Sequence, residues 1–129
     1  MTPSFRCPVP VLRMFSVAKA REFYLDWLGF SVAFEHSFEP ELPLYMAIRR
    51  GDLELHLSEH HGDGSPGANV RIETAGLDAL RDELIAKRYG YGRPGIDTMP
   101  WGREMRVHDP FGNRLTFFEN RDGDPDATP

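Results

Sequence analysis

The sequence has only one cysteine, Cys7, in 129 residues, so no disulfide can form within the chain. This excludes a small secreted scaffold held together by disulfides. No apolar run approaches the ~20 residues that a helix needs to span a bilayer. The first residues, MTPSFRCPVPVL, have neither the basic region nor the apolar core of a secretory signal. We therefore expect a cytoplasmic protein with no membrane partner.

An excess of positive charge is also missing. The chain has 15 Lys and Arg against 20 Asp and Glu, a net charge of -5. Because binding to a phosphate backbone needs a basic stripe, nucleic acid is not an expected partner, whereas a cationic small molecule would be mildly favoured. The length suits one compact unit or two small modules that share a core.

Two segments have helical periodicity, and most of the remaining chain alternates like strands. Apolar residues from Val17 to Leu28 fall three and four apart, with Ser16 as the predicted N-cap and Gly29 just beyond the helix end. A second helix is predicted from about Leu77 to before Tyr89. The predicted strands are Val9–Met14, Ser31–His36, Leu44–Arg49, Leu53–Leu57, Asn69–Glu73, Arg103–His108 and Leu115–Glu119.

The order of these elements repeats. A strand, a helix and three strands are followed by a strand, a helix and further strands, with Gly62–Gly67 as the connector. The order predicts an α+β fold of two βαβββ modules, about 8–61 and 68–119, within a single domain over 1–129. Residues 120–129 are expected to be a flexible tail.

Alternate residues of a strand point to opposite faces of a sheet. One set is almost entirely apolar and is expected to pack under the helices: Leu12, Met14, Val32, Phe34, Leu44, Met46, Ile48, Leu53, Leu55, Leu57, Val70, Ile72, Met105, Val107, Leu115 and Phe117. The opposite set is mixed in character and includes Arg13, Glu35, Tyr45, Glu54, His56, Arg71, Glu104, His108 and Phe118. Such a face is either washed by solvent or curved around a polar cavity, and alternation does not distinguish the two.

Two motifs resemble those of a known superfamily. Residues 18–30, AKAREFYLDWLGF, resemble the "a..FY...LGF" signature of the vicinal-oxygen-chelate group, which includes glyoxalase I, extradiol dioxygenases, fosfomycin-resistance enzymes and bleomycin-resistance proteins. Residues 109–115, DPFGNRL, resemble its "DPxGN" signature. Residues 55–63, LHLSEHHGD, look like the bleomycin-resistance branch. The resemblance implies a curved mixed-sheet cup with the helices on its outer face.

The resemblance also implies where a metal would be held in the metal-dependent relatives. The matching positions are Val9, Asn69 and Thr116, which offer no strong metal ligand. We therefore predict no metal and no other cofactor. A relocated metal at His56, His60 or His61 is the alternative, although a polar strand end is the more common role of such residues.

The predicted ligand-binding residues lie on the mixed face or in loops beside it. The aromatic candidates are Trp101, Phe38, Tyr45 and Phe118, and the polar candidates are His56, Glu54, Glu35, Glu104 and Arg13. The aromatic rings would stack on a flat ligand, and the carboxylates would offset a positive charge. Arg13 and Arg71 occupy matching places in the two modules, and structural salt bridges to these carboxylates are the more common role of such residues, with an anion as the other possible partner.

The resemblance implies a homodimer in which modules of different chains build each cavity. Sequestration of a bleomycin-type antibiotic, as in a resistance protein, needs no catalytic group and is the leading functional prediction. The alternatives are a lyase, isomerase or dioxygenase of the superfamily built on His56 or a relocated metal, and an accessory domain that binds another metabolite or a peptide.

Overall fold

The protein folds into two open four-stranded mixed sheets; a computed structural model describes residues 1–37, 39–90 and 92–120. The first sheet contains β1 (Val11–Arg13), β2 (Ser31–His36), β3 (Tyr45–Arg50) and β4 (Leu53–Ser58) in the order β1-β4-β3-β2. The second contains β5 (Asn69–Glu73), β6 (Ile96–Met99), β7 (Gly102–His108) and β8 (Arg114–Asn120) in the order β5-β8-β7-β6. In each sheet the first strand is parallel to the last and the other pairs are antiparallel. The identical order confirms the predicted α+β fold of two βαβββ modules.

The helices begin where the sequence predicts. Helix α1 (Val17–Ala20) starts at Ser16, whose Oγ accepts a hydrogen bond from the Lys19 N–H at 3.2 Å. The chain continues as a π-helix over Arg21–Trp27, and Gly29 has a φ of 77° beyond its end. The apolar spacing did not reveal the π-helix, because it also fits an α-helix. Helix α2 spans Leu77–Ala86, and no helix among the described residues is long and apolar enough to cross a membrane.

The core lies between the helices and the apolar faces of both sheets. It contains residues from the helices and the strands of both modules. Almost every predicted core position of β1, β3, β4, β7 and β8 is buried. The predicted positions in β2 are the exception. Val32 and Phe34 are exposed, because β2 is an edge strand whose pairing with β3 shifts register between these two residues.

Two further differences between the predicted and the observed strands lie in the second module. Strand β6 was not predicted, because its four residues lie between Pro94-Gly95 and Pro100, which suggest a loop. Asn120 was predicted to be in the tail, but it pairs with Gly102 as the last residue of β8. Residues 121–129 of the predicted tail lie outside the described residues.

Gly64, in the connector between the modules, lies against the backbone of β1. Only every second residue along β1 directs its backbone N–H and C=O groups toward β4. The hydrogen bonds at the two ends of the strand show this, since the His56 N–H donates to the Pro10 oxygen and the Met14 N–H donates to the Ser58 oxygen. Val11 and Arg13 therefore direct their backbone groups to the opposite edge. A Cβ on Gly64 would lie 2.9 Å from the Val11 oxygen. Glycine is thus required for this close approach.

A buried hydrogen-bond network joins the two modules at the turn between β7 and β8. Asp109 Oδ2 accepts hydrogen bonds from the Tyr24 hydroxyl at 2.7 Å and from Asn113 Nδ2 at 2.9 Å. Its Oδ1 accepts from the backbone N–H groups of Phe111 and Asn113, both at 2.8 Å. Asn113 Nδ2 also donates to the Arg13 carbonyl at 3.0 Å. The "DPxGN" motif is therefore a structural element that ties β1 and the first helix to the second module.

We predict that Tyr24→Phe lowers the free energy of unfolding by about 1–2 kcal/mol at pH 7, because a buried hydrogen bond is lost. Burial, with the charge and hydrogen bond of Asp109, raises the pKa of Tyr24 well above its ordinary value. Its hydroxyl therefore contributes stability below about pH 10 that is lost as pH rises toward the folded-state pKa. Urea unfolding at pH 7 to 11 should show a steeper alkaline fall for the wild type than for the variant. Parallel curves would contradict this role.

Candidate ligand-binding site

We use "mixed face" for the side of each sheet that points away from the helices. Cross-strand register places Ala47 opposite His56 and Arg49 opposite Glu54 on this face of the first module. The Tyr45 hydroxyl lies 2.5 Å from His56 Nδ1, and His56 Nε2 lies 2.6 Å from Glu54 Oε2. Arg49 Nε donates to Glu54 Oε1 at 2.5 Å. Three predicted mixed-face side chains, Tyr45, His56 and Glu54, thus form one continuous hydrogen-bonded chain with Arg49, which was not predicted to lie there.

The charges in this chain stabilise one another. Hydrogen bonds from His56 and Arg49 lower the pKa of Glu54, so its carboxyl group is ionised at neutral pH. Partial burial raises the pKa of Tyr45, and the negative charges of Asp63 and Glu54 raise it further. Tyr45 therefore keeps its proton as a hydrogen-bond donor. The sequence predicted Tyr45, His56 and Glu54 on this face, but neither Arg49 nor the bond between Tyr45 and His56.

Phe34 belongs to the mixed face, although it was predicted to pack under the helices. Beyond the register shift it pairs with Ala47, and its ring stacks on Tyr45 with centroids 6.4 Å apart and 13° between planes. Its edge-to-face contact with the His56 ring has a centroid distance of 5.7 Å. Strict alternation failed here because a bulge reverses the facing of all later residues in the strand.

The same bulge moves Glu35 in the opposite direction. Glu35 pairs in register with Met46, a core residue, and forms an ion pair with Arg21 of the π-helix. Its predicted placement beside Glu54 on the mixed face is therefore wrong. Phe38, another predicted ligand residue, lies outside the described residues.

The second module has its own cluster on the mixed face. Glu104 is only 4% exposed, and its Oε2 accepts hydrogen bonds from Trp101 Nε1 at 2.9 Å and from Arg71 Nη1 at 2.8 Å. The Arg71 guanidinium lies 4.6 Å from the centroid of the Phe118 ring, a cation–π contact. Register confirms the shared face, since Glu104 pairs with Phe118. Three predicted residues, Trp101, Glu104 and Phe118, are thus brought together by Arg71.

The Glu104 carboxylate is held in its charged form. Burial by itself raises the pKa of this group, but the hydrogen bonds of Trp101 and Arg71 and the Arg71 charge outweigh that effect and lower the pKa overall. Both mixed-face carboxylates, Glu54 and Glu104, are therefore already paired with an arginine of the same module. The predicted structural salt bridge is confirmed for Arg71.

Arg13 differs from Arg71. Its guanidinium lies 4.7 Å from the centroid of the Phe15 ring, but Nε and Nη1 are buried without a hydrogen-bond partner in the described part of the chain. Buried donors without acceptors are costly. The structural salt bridge expected of Arg13 is not observed among the described residues.

The positions that match the superfamily's metal ligands do not form a donor set. Val9 has no lone pair, and Thr116 Oγ1 donates to Asn69 Oδ1 at 3.0 Å, which occupies these two neutral groups with each other. Within residues 1–37, 39–90 and 92–120, no group of three or more His, Cys, Asp and Glu side chains is arranged to hold a metal ion. These residues do not fit a divalent metal, and the prediction of no cofactor stays a prediction.

A cavity of about 650 Å³ lies on the helix side between the modules and was not anticipated. It has an apolar lining that includes Leu28, Phe30, Leu53, Ile72, Leu80 and Phe117, beside the paired charges of Arg50 and Glu83. None of the predicted ligand-binding residues that the structure describes lines it. No pattern in single strands or helices could have revealed it, because both modules contribute to it.

The two modules and the "DPxGN" turn define the class of protein as a glyoxalase/bleomycin-resistance fold. Residues 3–124 match the model of a family described as glyoxalase superfamily protein. The chain therefore belongs to the glyoxalase superfamily, as its sequence motifs predicted.

Solved structures of similar proteins include antibiotic-binding members. The bleomycin-binding protein of Streptomyces verticillus, complexed with copper(II)-bleomycin, is 30% identical, with 90% of this chain and 97% of that chain covered and a TM-score of 0.66. The bleomycin resistance determinant encoded on transposon Tn5 is 21% identical, with coverage of 91% and 99% and a TM-score of 0.71. An antibiotic binding protein from Streptomyces sp. CB03234 is 19% identical, with coverage of 92% and 100% and a TM-score of 0.65. Among curated proteins there is no match.

We predict that Glu104→Gln lowers the free energy of unfolding by about 2 kcal/mol at pH 7, because Arg71 and Trp101 lose a charged acceptor. Since the folded-state pKa is lowered, this stabilisation exists above the ordinary pKa of about 4.3 and is lost as pH falls through the folded-state value. Chemical denaturation at pH 7 and pH 3 should show the difference shrinking at pH 3. Glu22→Gln, at an exposed pair with Lys19, is the control and should change stability by less than about 0.5 kcal/mol.

Proposed function

We propose that this protein binds and sequesters a small molecule on its mixed faces, with a bleomycin-type antibiotic as the leading candidate. The observation that carries the proposal is the cluster of Trp101, Glu104, Arg71 and Phe118, in which two half-buried aromatic rings are fixed beside a paired charge. Rigid aromatic surface next to oriented polar groups suits a flat, polar ligand. Sequestration needs no further chemistry from these residues.

The similarity to bleomycin-binding proteins supports this choice of ligand. The Streptomyces verticillus protein, at 30% identity over nearly the whole chain, has been crystallised as a complex with copper(II)-bleomycin. A metal-bearing ligand brings its own ion, which agrees with the poor donor set at Val9, Asn69 and Thr116.

A homodimer is part of the proposal. Among the described residues, the hydrogen bonds and ion pairs of the Tyr45 chain and of the Glu104 cluster stay within their own modules. Each face is thus an open half-site, and Phe34 on the first is 48% exposed. Pairing the first module of one chain with the second module of another would enclose two equivalent cavities.

We expect bleomycin to quench tryptophan fluorescence saturably, at about one antibiotic per chain, as two sites in a twofold dimer require. Trp101→Phe should abolish most of the quenching, since Trp27, with its Nε1 donating to the buried Leu84 carbonyl at 3.1 Å, lies away from the mixed faces. Trp27→Phe is the matched control and should retain the quenching. Calorimetric titration should give a weaker affinity for Trp101→Phe than for the wild type.

Two outcomes would count against this assignment. Unchanged affinity in both Trp101→Phe and Tyr45→Phe would move the ligand away from the mixed faces, with the cavity beside α2 as the next place to examine. Tight binding of another natural product without any response to bleomycin would favour the accessory-domain alternative.

An enzyme of the superfamily is the second candidate, and the Tyr45–His56–Glu54 chain is the observation that favours it. A histidine oriented by a carboxylate and bonded to a hydroxyl is an arrangement used for proton transfer. Stoichiometric metal in the purified protein without an antibiotic response, or turnover that is lost on His56→Gln, would favour this candidate over sequestration.

We expect the wild type to sediment with the mass of two chains. Phe34→Glu should shift the equilibrium toward single chains, because a charge would be buried where the two mixed faces meet. Ile85→Glu, at an exposed residue of α2 with a similar exposure of 41%, is the matched control and should stay dimeric. A monomeric wild type at micromolar concentration would contradict the shared cavity.

A further inference from the structure

We propose that Tyr45 is the ligand-contacting end of a polarised hydrogen-bond chain, and that the mixed face of the first module consequently selects ligands that present an N–H donor. The chain runs from Arg49 through Glu54 and His56 to Tyr45. This inference rests on the proposed function, because it specifies the ligand chemistry of the same face.

The direction of the chain is set at Glu54. An ionised carboxylate only accepts hydrogen bonds, so both of its neighbours must donate. Arg49 Nε donates at 2.5 Å, and His56 Nε2 must carry a proton to donate at 2.6 Å. A neutral imidazole with its proton on Nε2 has only a lone pair on Nδ1. The arginine–carboxylate pair therefore fixes the tautomer of His56.

The direction then determines what Tyr45 can offer. Its oxygen lies 2.5 Å from His56 Nδ1, which has no proton, so the hydroxyl must donate its own proton to that nitrogen. A hydroxyl has a single proton and two lone pairs. The Tyr45 oxygen is left with lone pairs only, and it meets an incoming ligand as a hydrogen-bond acceptor.

The surroundings of this oxygen define the rest of the ligand. The Phe34 ring stacks on Tyr45 and contacts the His56 edge, which supplies apolar surface beside the acceptor. The Glu54 charge is already paired with Arg49, so selection depends on the donor group more than on net charge. The matching ligand has an apolar or aromatic body with an ammonium or amide N–H. A ligand with a carbonyl or carboxylate oxygen at this point would be repelled, because neither that oxygen nor the Tyr45 oxygen has a proton to donate.

The first test is the tautomer, which needs no ligand. Side-chain ¹⁵N–¹H NMR at pH 8 should show His56 protonated on Nε2 and unprotonated on Nδ1. The resonance is assigned by its loss in His56→Gln. Glu54→Gln, whose amide can donate as well as accept, should give a mixture of tautomers. A wild-type His56 protonated on Nδ1 would overturn the proposal.

The second test compares two probes that share a benzyl ring and a positive charge. Benzylammonium has N–H donors and benzyltrimethylammonium has none. NMR titration should show that the protein binds benzylammonium about 5–10-fold more tightly than benzyltrimethylammonium, because roughly one hydrogen bond distinguishes the two complexes. Tyr45→Phe, which keeps the stacked ring but lacks the hydroxyl, should bring the ratio of the two affinities close to one. Tyr89→Phe is the matched control, since that ring packs against Trp27 on the helix side, and it should retain the wild-type ratio.

The outcomes separate this inference from the function on which it rests. A ratio near one in the wild type, or an unchanged ratio in Tyr45→Phe, overturns the donor selection even if bleomycin binds. A wild-type preference that depends on Tyr45, without any bleomycin response, supports donor selection and removes the antibiotic as the ligand.

Discussion

The buried carboxylate of Asp109 is the constraint on which the arrangement of the two modules depends. A charge in this position is tolerated only because Tyr24, the Asn113 amide and two backbone N–H groups all donate to it. Those donors come from both modules, so the charge can be satisfied only when the first helix and the β7–β8 turn are in place. The positions of both mixed faces follow from this requirement.

Much of the fold follows from the sequence, because burial enforces periodicity. Ser16 and Gly29 mark the ends of the first helical segment, and the core sides of β3, β4, β7 and β8 alternate as expected. The predictions that were wrong concern strands in which burial does not enforce an alternation of apolar and polar residues. The edge strand β2 accommodates a bulge at low cost, and β6 is too short for its four residues to establish a pattern.

The same division holds for the candidate site. Tyr45, His56, Glu54, Glu104 and Phe118 were identified from their facing, and Trp101 from its loop position between Pro100 and Gly102. The structure groups these six residues into two clusters. Which of their hydrogen-bond partners they use depends on rotamers and cross-strand distances, which a strand pattern does not contain. The pairing of each carboxylate with an arginine changes the chemistry of both faces, since negative charge is no longer what they mainly offer a ligand.

The position of Gly64 bears on how this chain behaves at high concentration. An exposed strand edge is a template on which a second chain can add a strand, and this is a common route to aggregation. In this protein the connector lies over the outward backbone groups of β1, so a further strand has no access to them there. Any larger residue at position 64 would push the connector away and open that edge. The absence of a side chain at position 64 thus keeps the connector over this one edge of the first sheet and denies that edge to a further strand.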